Sequence, residues 1–97
     1  MQASKKRPVL ILKDNLPFND FVAIPISSKV EKLHDDEVII DDFDFENGNI
    51  PKKSKVMIRK TFVVSKSVVL KKYGVLSKKS FEKFHQSFCM YFKCSKL

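Results

Sequence analysis

Glycine is close to absent from this chain: Gly48 and Gly74 are the only two in 97 residues. So few, placed so far apart, cannot form a phosphate-cradling glycine loop, which excludes nucleotide sites built on one. Cysteine is equally scarce. Cys89 and Cys94 stand five apart on a helical stretch and should point in different directions. Neither a bond between them nor a shared metal is expected, and no other Cys/His spacing resembles a zinc site. No apolar run approaches the roughly 18 residues of a membrane span. The run Val9–Leu12, behind the basic start M-Q-A-S-K-K-R, is too short for a signal peptide. A cytoplasmic chain with reduced thiols is therefore expected. Acidic residues nearly vanish after residue 50, where Glu82 is the only one.

That last shortage polarises the molecule. Residues 1–50 carry six basic against ten acidic side chains, and residues 51–97 carry thirteen against one. A net charge of +8 distributed in this way suits a polyanion on one side: RNA, DNA or an acidic protein tail. The plainer alternative is a solvated lysine-rich surface. Nine Phe and a hydrophobic content of 43% suffice for one core, so residues 1–97 are expected to form a single domain.

Val9 to Leu12 reads as a strand entered through Pro8, and L-P-F-N-D as a turn. Phe21 to Ile26 reads as a second strand, with Pro25 arguing for an edge or a bulge. The acidic stretch 31–46 is expected to be a solvated loop, interrupted by a third strand at Val38-Ile39-Ile40. N-G-N at 47–49 is a turn signal. In Lys55 to Val64 the alternation predicts one strand, with Val56 and Ile58 on one face and Lys55, Met57 and Arg59 on the other. S-K-S-V-V-L-K-K-Y-G predicts a helical turn or two, capped by serine and stopped by Gly74. A helix is predicted from about Lys78 to Phe92, with Ser77 as N-cap and a Leu76–Phe81 staple. Phe81, Phe84, Phe88, Tyr91 and Phe92 share its core-facing stripe. Short strands followed by one amphipathic helix make a small domain, mainly β.

Five strings occur in one order: K-K-R-P-V-L-I-L, A-I-P-I-S-S-K, N-G-N-I-P-K-K-S-K-V, F-V-V-S-K-S and G-V-L-S. Arg7 opens one strand, and Ser27 and Ser28 close the next, groups that suit a ribose-phosphate. Order and spacing resemble the PemK/MazF-type growth-inhibitor toxins over nearly the whole chain. The resemblance implies a small SH3-like β-barrel with a C-terminal helix, working as a homodimer and neutralised by an acidic antitoxin. It also implies an endoribonuclease that cuts single-stranded RNA without metal or other cofactor. On it, Arg7 is the catalytic arginine that stabilises the phosphate and can donate a proton, and Ser27 the hydroxyl that orients the phosphate. Ser28, Lys29, Lys55, Met57 and Arg59 would bind RNA.

Two departures qualify this. Many relatives carry R-x-D where this chain has Met57 and Arg59, so a carboxylate that could act as base is replaced by a cation. The family's first strand, of the type K-G-D-I-W-L-V, has no counterpart ahead of Arg7, which should leave a sheet edge open. His34, in the acidic loop, is a further candidate base. His85 reads as a buried, hydrogen-bonded histidine on the aromatic face of the helix. A binding module that keeps the basic face without cutting, taking RNA or an acidic protein, remains open beside the nuclease. So does a remnant completed by another chain.

Overall fold

The computed structural model describes residues 7–94. Seven strands and one helix follow one another: β1 (Val9–Leu16), β2 (Asp20–Ser27), β3 (Glu37–Ile40), β4 (Phe45–Gly48), β5 (Ser54–Met57), β6 (Phe62–Ser65), β7 (Gly74–Leu76) and α1 (Lys78–Phe92). Five strands form one antiparallel sheet in the order β1-β2-β5-β3, with β6 also on β2, while β4 and β7 pair separately. The chain is mainly β with a C-terminal helix, as expected. Strand pairing does not close into a barrel among the described residues, because the outer sides of β1 and β3 have no partner strand there.

The hub is β2. Its sequence D-F-V-A-I-P-I-S is rich in residues that fit a pleated, buried surface, and Phe21, Ala23, Ile24 and Ile26 are all buried. One side pairs with β1; the other pairs first with β6 through Asp20–Ala23, then with β5 through Ile26 and Ser27. Pro25 therefore sits in a central strand, not at an edge. The Ile26 N–H donates to the Pro8 carbonyl on the β1 side at 3.2 Å, so the nitrogen of Pro25 faces the opposite side. There it lies in the gap where β2 passes from β6 to β5, and no donor is required.

Lys55–Val64 is two strands, not one. After Met57 the backbone tightens into a 3-10 turn, Ile58–Lys60. Asp36 enforces the break: its carbonyl accepts the Ile58 N–H at 3.1 Å, and its carboxylate accepts the Arg59 N–H at 3.1 Å. The acidic stretch is also more structured than a solvated loop. β4 begins within it, and Asp44 just before that strand is buried. Gly74 opens β7 and does not stop a helix; the preceding helical turn is one short 3-10 segment, Lys66–Val68, capped by Ser65. Gly48, at φ +76°, does not close a hairpin but ends β4 against β7.

The helix runs Lys78–Phe92, and the Ser77 hydroxyl accepts the Ser80 N–H at 3.1 Å. Phe84 is fully buried in the cluster of Leu10, Ile24, Ile26, Ile40, Ile50, Val56 and Ile58, which stabilises by about 2–3 kcal/mol. Phe88 packs on the same cluster. The stripe stops there: Tyr91 and Phe92 are about 40% exposed, because the helix runs past the sheet. His85 is exposed, not buried, beside the Phe81 ring. Cys94 does not point away from Cys89. Lys93 takes a left-handed C-cap, φ 56°, which turns Cys94 back, and the neighbouring Cys94 thiol pushes the Cys89 thiol above its ordinary value. Both thiols are free.

Candidate functional site

Arg7 precedes β1, and its position is set by register. Val9 lies opposite Pro25 and Leu10 opposite Ile24. Two residues further back, the same antiparallel register sets Arg7 opposite Ser27, and the Pro8–Ile26 hydrogen bond holds that extension in place. Ser27 in turn lies opposite Lys55 of β5. The end of β2 thus receives the arginine from one neighbour, and beyond it the chain turns away. There the Ser27 hydroxyl accepts the Lys29 N–H at 3.2 Å, an ST-turn that fixes Ser28 and Lys29 beside it.

These residues line one open cleft of about 340 Å³, to which this part of the chain contributes Arg7, Pro8, Ile26, Ser27, Ser28 and Lys29. Ile50, Pro51, Lys52, Ser54 and Tyr73 complete the lining. Four of the sequence-predicted residues meet here: Arg7, Ser27, Ser28 and Lys29. Lys52 and Tyr73 join them from segments that sequence reasoning does not connect with the site. Three cations face the cleft, and none of its lining residues is acidic or a histidine. Such a surface suits phosphate oxygens through charge and hydroxyl donors together. It offers no side chain that accepts a proton readily near neutral pH.

Lys55, Met57 and Arg59 are not brought to the cleft, and the shared outward face expected for them is not formed. Lys55 is 8% exposed, roofed by the loop that follows β2. Its ammonium donates to the Glu37 carboxylate at 2.8 Å and to the Lys32 carbonyl at 3.0 Å. Burial raises the Glu37 carboxyl, but Lys55 and the His34 N–H outweigh it and hold the group below its ordinary value. Met57 is buried in the sheet, and Arg59 is exposed on the 3-10 turn outside the cleft. His34 is exposed, and it too lies outside. A buried lysine is tolerated when paired, so Lys55 has a structural duty. Lys55→Met should strand Glu37 and cost on the order of 2 kcal/mol of stability, measured by urea unfolding. Glu37→Leu added to it should recover part of the loss. An unchanged urea midpoint for Lys55→Met would contradict the pairing.

Elsewhere, Phe43, Asp44, Lys79, Ser80, Glu82, Lys83 and Gln86 border a shallow depression of about 540 Å³. Asp44 is occupied there in fastening the helix and is not free for chemistry: its carboxylate accepts from Ser80 Oγ at 2.7 Å and from Lys83 Nζ at 2.9 Å. Among the described residues, no group of three or more His, Cys, Asp or Glu is placed to hold a metal. No helix among them is long and apolar enough to cross a membrane. The expectation of a missing first strand falls partly on residues 1–6, outside the described residues. Within those described, β1 pairs only with β2.

Residues 1–92 match the PemK-like, MazF-like toxins of type II toxin–antitoxin systems, and the chain belongs to that family. Its fold is similar to that of the Mycobacterium tuberculosis toxin MazF-mt6, with a TM-score of 0.72 and 24% identity over 95% of this chain and 91% of that one. A second toxin from the same organism is similar at a TM-score of 0.66 and 24% identity, covering 84% of this chain and 88% of that one. No curated protein matches the chain in sequence.

Proposed function

We propose that this toxin is a cytoplasmic endoribonuclease that binds single-stranded RNA in the Arg7–Ser27 cleft and cuts it without a metal. The observation that carries the reading is the meeting of Arg7, Ser27, Ser28 and Lys29 with Lys52 around one cleft. In the step proposed, the ribose 2′-oxygen forms a bond to the adjacent phosphorus and the bond to the 5′-oxygen breaks. The 2′-hydroxyl proton is lost to solvent and the leaving oxygen gains one. On this reading Arg7 faces the phosphate, where its planar fork matches the oxygens that gain charge, and it donates toward the leaving oxygen. The Ser27 hydroxyl orients the phosphate, while Ser28, Lys29 and Lys52 hold its neighbours.

The rate should be low. A positioned base contributes roughly 10²–10⁴ to such reactions, and the lining residues of the cleft supply none. The same observation favours a second reading, a module that binds RNA and does not cut. Incubation of a mixed-sequence RNA in chelator decides between them: slow cleavage supports the nuclease, and binding with no cleavage supports the module. Both require electrostatic binding. With three phosphates neutralised by Arg7, Lys29 and Lys52, affinity for single strands should fall about 20-fold between 50 and 200 mM salt. Salt-independent affinity would count against both.

Protein partners are proposed on separate ground. Val68, Val69 and Leu70 are exposed after β6, as are Phe62 and Val63 within it and Met90, Tyr91 and Phe92 at the end of the helix. Apolar surface on this scale supports a second copy of the chain and an antitoxin as covers. The basic second half favours an acidic antitoxin.

A further inference from the structure

Both glycines of the chain are used in the same place. Gly48, at φ +76°, and Gly74 lie opposite one another in the β4–β7 pair. A Cβ on Gly48 would fall 2.2 Å from the Tyr73 carbonyl oxygen, and one on Gly74 2.3 Å from the Asn47 carbonyl oxygen. Only glycine permits this approach of the two backbones. Its product is the fixed position of Tyr73, whose carbonyl also accepts the Asn49 N–H at 3.2 Å. Tyr73 is thereby held in the lining of the cationic cleft, together with Arg7 and Ser27. Among the described residues its ring is the only aromatic one lining that cleft, and it is 38% exposed. The Lys71 ammonium lies 5.0 Å from the ring centroid, so a cation already sits beside the partly exposed ring.

We propose that Tyr73 is a stacking platform for one nucleobase of the RNA, next to the phosphate held by Arg7 and Ser27. The inference rests on the RNA-binding reading of the cleft and adds a base subsite to it. A rigid aromatic beside a row of phosphate-binding cations is how single strands are held without sequence reading, because every base has a π-face. The backbone contacts of Tyr73 mean that little ordering is needed when a base arrives. Lys71 adds charge beside the stacked base. Stacking of this kind accepts any base and favours the larger purine rings.

The chain has no tryptophan, so Tyr73→Trp creates a single emitter at the subsite. The probes are a 2′-O-methyl oligoadenylate, which cannot be cut, and an abasic ribose-phosphate oligomer of equal charge. Anisotropy of labelled oligomers measures binding, and indole emission of the Tyr73→Trp variant measures stacking. Quenching of that emission by oligoadenylate and not by the abasic strand is the expected result. Tyr73→Ala should weaken oligoadenylate binding roughly 5- to 150-fold and leave abasic binding unchanged, and Tyr73→Phe should bind as the parent does. Oligoadenylate that binds the Tyr73→Trp variant without altering its emission would overturn the proposal. So would a Tyr73→Ala variant that loses both oligomers equally while Tyr73→Phe loses neither, since that marks a structural wall. If neither oligomer binds the parent protein, the RNA reading of the cleft fails and the base subsite fails with it.

Discussion

Arg7→Ala should remove RNA cleavage almost entirely, by roughly 10²–10³-fold if Arg7 acts as a donor to the developing phosphate charge. Arg7 is placed by the β1–β2 register opposite Ser27, and no other arginine among the described residues lines the cleft. Lys29 and Lys52 remain in the variant, so RNA should still bind, with a shallower salt dependence. Arg7→Lys restores a charge but not the planar fork, so it should recover only part of the rate. Ser27→Ala should slow cutting roughly tenfold, the value of one charge-assisted hydrogen bond. The check is the initial rate of cleavage of a mixed-sequence RNA in chelator, with binding measured in parallel. Equal rates for parent and Arg7→Ala would remove Arg7 from the site. No cleavage by either, with binding kept, would leave the non-cutting module.

Why these residues are legible and others not follows from the range of the forces that place them. The helix Lys78–Phe92 announces itself because a serine cap and a periodic aromatic stripe are local signals. The apolar runs of β1, β2 and β3 are local in the same sense. The break at Ile58–Lys60 is not, since its cause is Asp36, more than twenty residues upstream. Alternation alone therefore reads Lys55 as outward, although a loop and a carboxylate from Glu37 enclose it. Strand β4 is hidden in an acidic stretch because its partner β7 lies far along the chain. At the site, Arg7 and Ser27 are reached through family resemblance, not through any local pattern. Lys52 and Tyr73 come from two further segments, and the strongest clue to Tyr73 is the scarcity of glycine. A chain with only two glycines places them where nothing else fits.

Asp44→Ala should be among the most destabilising single changes outside the apolar core. Asp44 is 2% exposed, and its carboxylate joins the turn before β4 to the helix. Oδ2 accepts the Asp41 N–H at 2.9 Å, closing that turn, and Oδ1 accepts from Ser80 and Lys83 of α1. Its carbonyl accepts the Ser77 N–H at 2.9 Å, at the N-cap itself. Truncation strands the half-buried Asp41 N–H and Ser80 hydroxyl, while the partly exposed Lys83 can turn to water. The cost is therefore about 2–3 kcal/mol, below the full loss of a buried ion pair. In a domain of this size that lowers Tm by roughly 10–20 °C. Acid should act through the same group. Burial alone would raise its carboxyl, but Lys83, Ser80 and the Asp41 N–H prevail and hold it below the ordinary 3.8. The unfolded chain then takes up a proton before the folded one does. Stability from Asp44 is complete above that ordinary value and drains away as pH falls through the lower, folded value. Glu37, held below its ordinary 4.5 by Lys55, adds to the loss slightly earlier in the same descent. Thermal unfolding from pH 7 down to pH 3 should show a steep fall in Tm for the parent. Asp44→Asn should start lower and fall less steeply. A variant with the parent's Tm and the parent's acid slope would mean that this carboxylate does not fasten the helix to the sheet.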